Sequence, residues 1–185
     1  MKIIVLAGGL STERDVSLTS SAGICKTLIE KGHDAFLLDV FMGLPDAPEN
    51  LEDVFTLPNH GLEIAKNIST TEPDLAAVKA SRPDQSDCFL GPNVIELCRL
   101  ADITFLGLHG GEGENGKLQA TFDLLGIRYT GPDSLGCALA MDKGVTKVIF
   151  QRCNVSTPGG GWLYKKDLDK PLSGMGLSLP VVVKP

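Results

Sequence analysis

The sequence predicts an α/β fold, a doubly wound and mainly parallel sheet followed by the start of an α+β domain. Three observations carry this. Apolar runs of strand length stand at residues 2–7, 33–40 and 103–108, and glycine-rich turns adjoin them. Helical periodicity separates the runs, with Leu18, Ala22, Cys25 and Ile29 after the first and Leu118, Phe122 and Leu125 after the third. Past Gly131-Pro132 the pattern changes, which divides the chain into domains 1–131 and 132–185.

Residues 2–7 end at Gly8-Gly9 and make a buried first strand. Ser11 or Thr12 can cap the helix that follows, Glu13 and Asp15 favour its positive end, and Gly32 stops it. Residues 33–40 return as a second strand, so the chain opens β-α-β. His33 belongs to the helix end, and Asp39 sits where a ribose-binding carboxylate can occur. The first turn, Gly8-Gly9-Leu10-Ser11-Thr12, nevertheless lacks G-x-G-x-x-G spacing, which argues against dinucleotide binding.

Residues 41–92 are interrupted by Pro45, Pro48, Pro58, Pro73 and Pro83 and are expected to form a folded excursion or lid, with an exposed His60. Within it, 62–68 reads as strand or helical turn and 72–79 as a short helix. Residues 93–100 are helical and lead into the third strand at 103–108; 127–130 make a fourth. Helices are expected at 133–140 and after Asp142, the latter with Val145, Val148 and Ile149 in register and Asn154 as its stop. Strands at 162–164 and 179–183 close the chain. An apolar strand lying so near the last residue suggests a fragment of something longer.

The 185 residues carry a net charge of −6, with 43% hydrophobic and 22% charged residues. No basic cluster is available for nucleic acid, and no apolar run has the length of a membrane span. The N-terminus lacks a signal-peptide layout, which points to the cytoplasm. Five cysteines without a C-x-x-C pair argue against a disulfide framework or zinc site; most should be small buried apolar groups.

Chemistry concentrates in Leu106-Gly107-Leu108-His109-Gly110-Gly111-Glu112-Gly113-Glu114-Asn115-Gly116-Lys117-Leu118-Gln119. A strand ends at a histidine, and glycines then let backbone approach a ligand before a helix starts with unpaired N–H groups. In a parallel sheet, ligands collect at this end of the strand. Gly111 to Lys117 fits G-x-x-x-x-G-K, but Leu118 replaces the hydroxyl residue that would hold Mg²⁺, and Glu112 and Glu114 occupy the phosphate region. A P-loop is therefore disfavoured.

Three separated stretches closely resemble the D-alanine–D-alanine ligases of the ATP-grasp superfamily. They are Ala7-Gly8-Gly9-Leu10-Ser11-Thr12-Glu13-Arg14-Asp15-Val16-Ser17, Leu108-His109-Gly110-Gly111-Glu112-Gly113-Glu114-Asn115-Gly116, and Tyr129-Thr130-Gly131-Pro132 with Ala138-Leu139-Ala140-Met141-Asp142-Lys143 and Thr146-Lys147. The end, Leu179-Pro180-Val181-Val182-Val183-Lys184-Pro185, is similar to that family's ATP-binding strand. Lys117 and the length of the 41–92 excursion depart from the pattern outside these motifs.

The resemblance implies a Rossmann-like pre-ATP-grasp domain that binds substrate, followed by the first part of an ATP-grasp domain. It implies ATP-dependent joining of two D-alanines through an acyl phosphate, for peptidoglycan precursor synthesis, by a cytoplasmic homodimer using ATP and Mg²⁺. Glu13 would hold the ammonium of the first D-alanine and His109 would position it or handle its proton; Val16 and Gly110 complete the substrate site. Lys143 and Lys184 would contact ATP phosphates, while Lys147 reads as surface. The family's Mg²⁺ ligands, transition-state arginine and closing loop would lie beyond Pro185, so this chain alone is expected not to catalyse ligation. Sister ligases making D-alanyl-D-lactate or D-alanyl-D-serine, and a non-catalytic small-molecule-binding α/β domain, are the alternative readings. Only the last would need neither Lys143 nor Lys184.

Overall fold

In a computed structural model of the chain, residues 1–58, 62, 71–161, 164–165, 174 and 178–183 are described. They form two compact units, Met1–Ala138 and Leu139–Pro185. The first is built on a parallel sheet of β1 (Lys2–Ala7), β2 (Asp34–Asp39) and β3 (Ile103–Leu106) in the order β2-β1-β3. Leu6 pairs with Leu38 on one side and Leu106 on the other, so the C-terminal ends of all three strands lie side by side.

Alternation of side chains along the strands makes two cores. Ile3, Val5 and Ala7 of β1 and Ala35 and Leu37 of β2 pack with Ala22 and Cys25 of α1 (Arg14–Glu30). Ile4, Leu6, Phe36 and Leu38 face the other way. They meet Val54 and Phe55 of a 3₁₀ helix (Leu51–Thr56), then Val94, Leu97 and Cys98 of α3 (Val94–Leu100). Leu118 and Phe122, from α5 (Lys117–Leu125), complete that face. The sheet is covered on both sides, as a doubly wound fold requires. The excursion also contains α2 (Leu75–Ser81), whose first N–H groups are met by Asp74 Oδ1 at 3.0 Å. The short α4 (Gly111–Glu114) precedes α5; α6 (Ser134–Met141) and α7 (Lys143–Arg152) follow. Asp142 caps α7 through Val145 N at 2.9 Å, and Asn154 beyond its end takes φ 56°.

Several expectations are corrected. Ile29 is 41% exposed, because the inward stripe of α1 runs instead through Arg14, Ser17, Ser21, Ala22 and Cys25, small or hydrogen-bonding residues that let the helix sit close to the strand ends. Neither Ser11 nor Thr12 caps α1; its N-cap is Glu13, without a side-chain cap bond. The third strand stops at Leu106, and the fourth is a single parallel bridge between Thr104 and Tyr129. The Thr130 hydroxyl accepts Leu106 N–H at 3.1 Å where the ladder would continue in backbone, and Pro132 has no N–H to extend it. Val145, Val148 and Ile149 are 39%, 42% and 38% exposed rather than core. Residues 179–183 are not a strand; Leu179, Val182 and Val183 are exposed, and no ladder partner stands beside them among the described residues. The readings at 62–68 and 162–164, and those for His60 and Lys184, lie outside the described residues except at Leu62 and Tyr164.

Candidate substrate site at the ends of two parallel strands

The loops leaving β1 and β3 start side by side, and hydroxyls of α1 fasten them together. Ser17 Oγ accepts from Gly8 N at 3.0 Å and donates to Gly107 O at 2.7 Å; Ser21 Oγ donates to the same carbonyl at 3.1 Å. A Cβ on Gly107 would stand 2.0 Å from Ser21 Oγ, so only glycine permits this approach. Ser11 makes the next tie. Its hydroxyl donates to His109 O at 2.6 Å and accepts from Glu13 N at 3.2 Å, so one oxygen sets the backbone of both candidate catalytic residues. The His109 ring also has Ser20 Oγ 3.4 Å from Nε2. Glu13 Oε2 lies 3.3 Å from where a Cβ on Gly110 would be. Glu13, His109 and Gly110 therefore converge.

Behind them the first turn is held from below. Arg14, 8% exposed, donates from Nη1 to Gly9 O at 2.7 Å and pairs through Nη2 with Asp39. Asp39 also accepts from Phe41 N at 2.9 Å and Met42 N at 3.1 Å, so this carboxylate is engaged in structure instead of facing a ribose. A Cβ on Gly8, at φ +75°, would fall 2.5 Å from an Asp39 carboxylate oxygen.

The loops border a narrow cleft lined by Gly8, Gly9, Ser11, Phe89, His109 and Gly110 among others. The anion site expected at the following helix is weaker than the sequence suggests. The chain first makes the four-residue α4, and at the start of α5 Asn115 Oδ1 already accepts Lys117 N at 3.0 Å. Gln119, buried, donates to Gly113 O at 2.8 Å and steadies the loop from within.

Glu13, exposed, stands next to Gly110 but is not among the residues that line the cleft. Val16 is 41% exposed on α1 and does not line it. Lys143, in the second unit, is exposed as the first residue of α7, with Nζ donating to Ala140 O at 2.8 Å. Among the described residues no three His, Cys, Asp or Glu side chains gather as a metal site. Cys25, Cys98 and Cys137 are buried, Cys88 and Cys153 exposed, and none of the five is joined in a disulfide. Burial pushes the Cys98 thiol up to about 11 and raises Cys137 as well, the reverse of what a nucleophile needs.

Ser17, Ser20, Ser21 and Phe89 escaped sequence reasoning as site residues. Two serines, Ser17 and Ser21, on the helix stripe where apolar residues are due were the available signal; the exposed Ser20 and Phe89 offered none.

A family model described as the D-ala D-ala ligase N-terminus matches residues 2–132. The chain is 42% identical to the D-alanine–D-alanine ligase of Lacticaseibacillus casei strain BL23, over 100% of this chain and 51% of that protein. It is 43% identical to that of Pediococcus pentosaceus, over 100% and 52%. It thus spans about half the length of the curated relatives it matches. Among solved structures, the D-alanine–D-alanine ligase of Coxiella burnetii superposes with a TM-score of 0.58 at 22% identity, over 94% of this chain and 48% of that one. The Bacillus anthracis D-alanine–D-alanine ligase complexed with ATP gives 0.52 at 23%, over 86% and 39%. These likenesses concern the fold.

Proposed function

The chain belongs to the D-alanine–D-alanine ligase family, whose N-terminal region its residues 2–132 match, and from this we propose that it forms the first-substrate site of an ATP-dependent ligase joining two D-alanines. One observation carries the reading: a single hydroxyl, Ser11, ties Glu13 N and His109 O beside the cleft between the two strand ends. The first D-alanine brings an ammonium and a carboxylate into a small space. Glu13 pairs with the ammonium, a charge-assisted contact that favours one orientation. His109, on the neighbouring loop, donates a hydrogen bond to the substrate or holds its proton, as an imidazole can near neutral pH. The carboxylate is thereby aimed outward for activation to an acyl phosphate, which the amine of the second D-alanine resolves with release of phosphate.

ATP, when bound, supplies the phosphoryl group. Lys143 fits its phosphates, being an exposed cation on the first turn of a ten-residue helix, where the dipole adds to its charge. Lys184 is assigned the same task. Mg²⁺ belongs to the reading as well, with ligands expected outside residues 1–185. The reading further includes a cytoplasmic homodimer acting in peptidoglycan precursor synthesis. No helix among the described residues is long and apolar enough to cross a membrane, and sedimentation of the whole protein checks the dimer.

The test is made in a full-length ligase carrying this sequence. D-alanine-dependent phosphate release and dipeptide formation are expected; wild-type protein that turns over no ATP with D-alanine would overturn the proposal. Glu13→Gln should raise the KM for the first D-alanine at least ten-fold and leave the KM for ATP within two-fold. Lys143→Met should do the opposite while melting near wild type, because methionine keeps most of the apolar stem and removes the charge.

A further inference from the structure

The excursion between β2 and α3 has no part in the mechanism above, yet it is built with care. Its ends are fastened together, Gly91 N to Val40 O at 2.8 Å, Leu44 N to Pro92 O at 2.9 Å and Asn93 Nδ2 to Leu44 O at 2.8 Å. Inside it Arg82 is 2% exposed. A buried guanidinium is costly unless its donors are met. Arg82 pairs with Asp84, Nη2 donating to Oδ2 at 3.0 Å while Nε lies 2.6 Å from Oδ1 without hydrogen-bond geometry, and it stands 4.8 Å from the centre of the Phe41 ring. Its hydrogen bond holds the Asp84 carboxyl below its ordinary range. The remaining bonds go to Cys88 O and, at 3.4 Å, Leu90 O.

Those two carbonyls bracket Phe89. Gripped on both sides, the Phe89 ring rests on the first turn, its Cζ 3.4 Å from where a Cβ on Gly9 would stand, and lines the cleft with Leu108, His109 and Gly110. We infer that Phe89 is a specificity-determining wall of the cleft, limiting the first amino acid to a side chain of alanine size, and that Arg82 is its positioning residue. This rests on the reading of the cleft as the first D-alanine site. A rigid ring beside a small substrate must move to admit one more methylene, and apolar pockets commonly discriminate one methylene by ~10–200-fold. A wall carried by a clamped segment moves less readily than one on a free loop.

The full-length ligase tests it with ATP and equimolar D-alanine and D-2-aminobutyrate. The N-terminal residue of the dipeptide reports the first site and the C-terminal residue the second. Phe89→Ala should raise N-terminal 2-aminobutyrate at least five-fold and leave the C-terminal composition unchanged. Phe89→Leu should shift it the same way by less, and stands in should the alanine variant fail to fold. Arg82→Lys keeps a cation but loses the fork to both carbonyls, and should also widen the first site. Folded, active Phe89 variants with wild-type N-terminal composition, or with both positions relaxed together, would overturn the inference. Wild-type protein with no D-alanine-dependent phosphate release would instead sink the underlying function, so the two failures are told apart.

Discussion

Arg14 shows what the motif residues depend on. Its guanidinium is buried against Asp39 and Gly9 O, so Arg14→Met leaves a carboxylate enclosed without its cation. Breaking one side of such a pair costs ~3–5 kcal/mol, and urea unfolding should register a loss of that size. A loss under 1 kcal/mol would mean that water reaches Asp39. Tyr129 gives a second reading at this scale. Burial first, then its hydrogen bond to Asp123 Oδ1 at 2.8 Å, pushes its hydroxyl from 10.0 up to about 12. The folded state therefore holds this proton more tightly than the unfolded one, so stability falls as pH rises from about 10 to about 12. Tyr129→Phe should flatten that part of the unfolding profile; an unchanged slope would refute the assignment. His109 stood out as a candidate because a histidine at a strand end announces chemistry by residue type, and Glu13 only through the family resemblance. Arg14 and the serines did not stand out, since a hydroxyl or guanidinium on a helix reads as surface until the partner strand is placed.

The contact between α1 and the loop after β3 decides how closely the two site-bearing loops approach. Gly107→Ala would put a methyl 2.0 Å from Ser21 Oγ and 3.1 Å from Ser21 Cβ. Overpacking of this kind costs ~1–3 kcal/mol. Ser21→Ala in the same chain removes the nearer atom and should return about half of the loss, a coupling measurable by a double-mutant cycle. Strict additivity would show that the two elements are not in contact. Elements themselves were readable where period and caps agreed, as in β1, α5 and α7. Their burial was less so: Val145, Val148 and Ile149 satisfy helical register, but register says only which residues share a face, not whether anything covers it. The run at 179–183 failed for a related reason, because a strand needs a partner and apolar composition does not supply one.

At the scale of the molecule, the first unit contains everything a domain needs. The buried apolar residues run from Ile3 to Cys137, and both cores close within Met1–Ala138; beyond Cys137 no apolar side chain is buried among the described residues. A domain near 150 residues buries ~68–70% of the surface its unfolded chain exposes, enough for independent stability. Residues 1–138 alone should therefore unfold cooperatively in urea, with circular dichroism and tryptophan-free fluorescence probes coinciding. Phe122, fully buried between α5 and the sheet, offers the internal check. Phe122→Ala should cost ~3–5 kcal/mol, the same within ~0.5 kcal/mol in residues 1–138 and in the whole chain, because among the described residues the core cluster it belongs to lies in the first unit. A broad, non-cooperative transition for 1–138, or a Phe122 cost that differs between the two lengths by more than 1 kcal/mol, would show that the second unit completes the core.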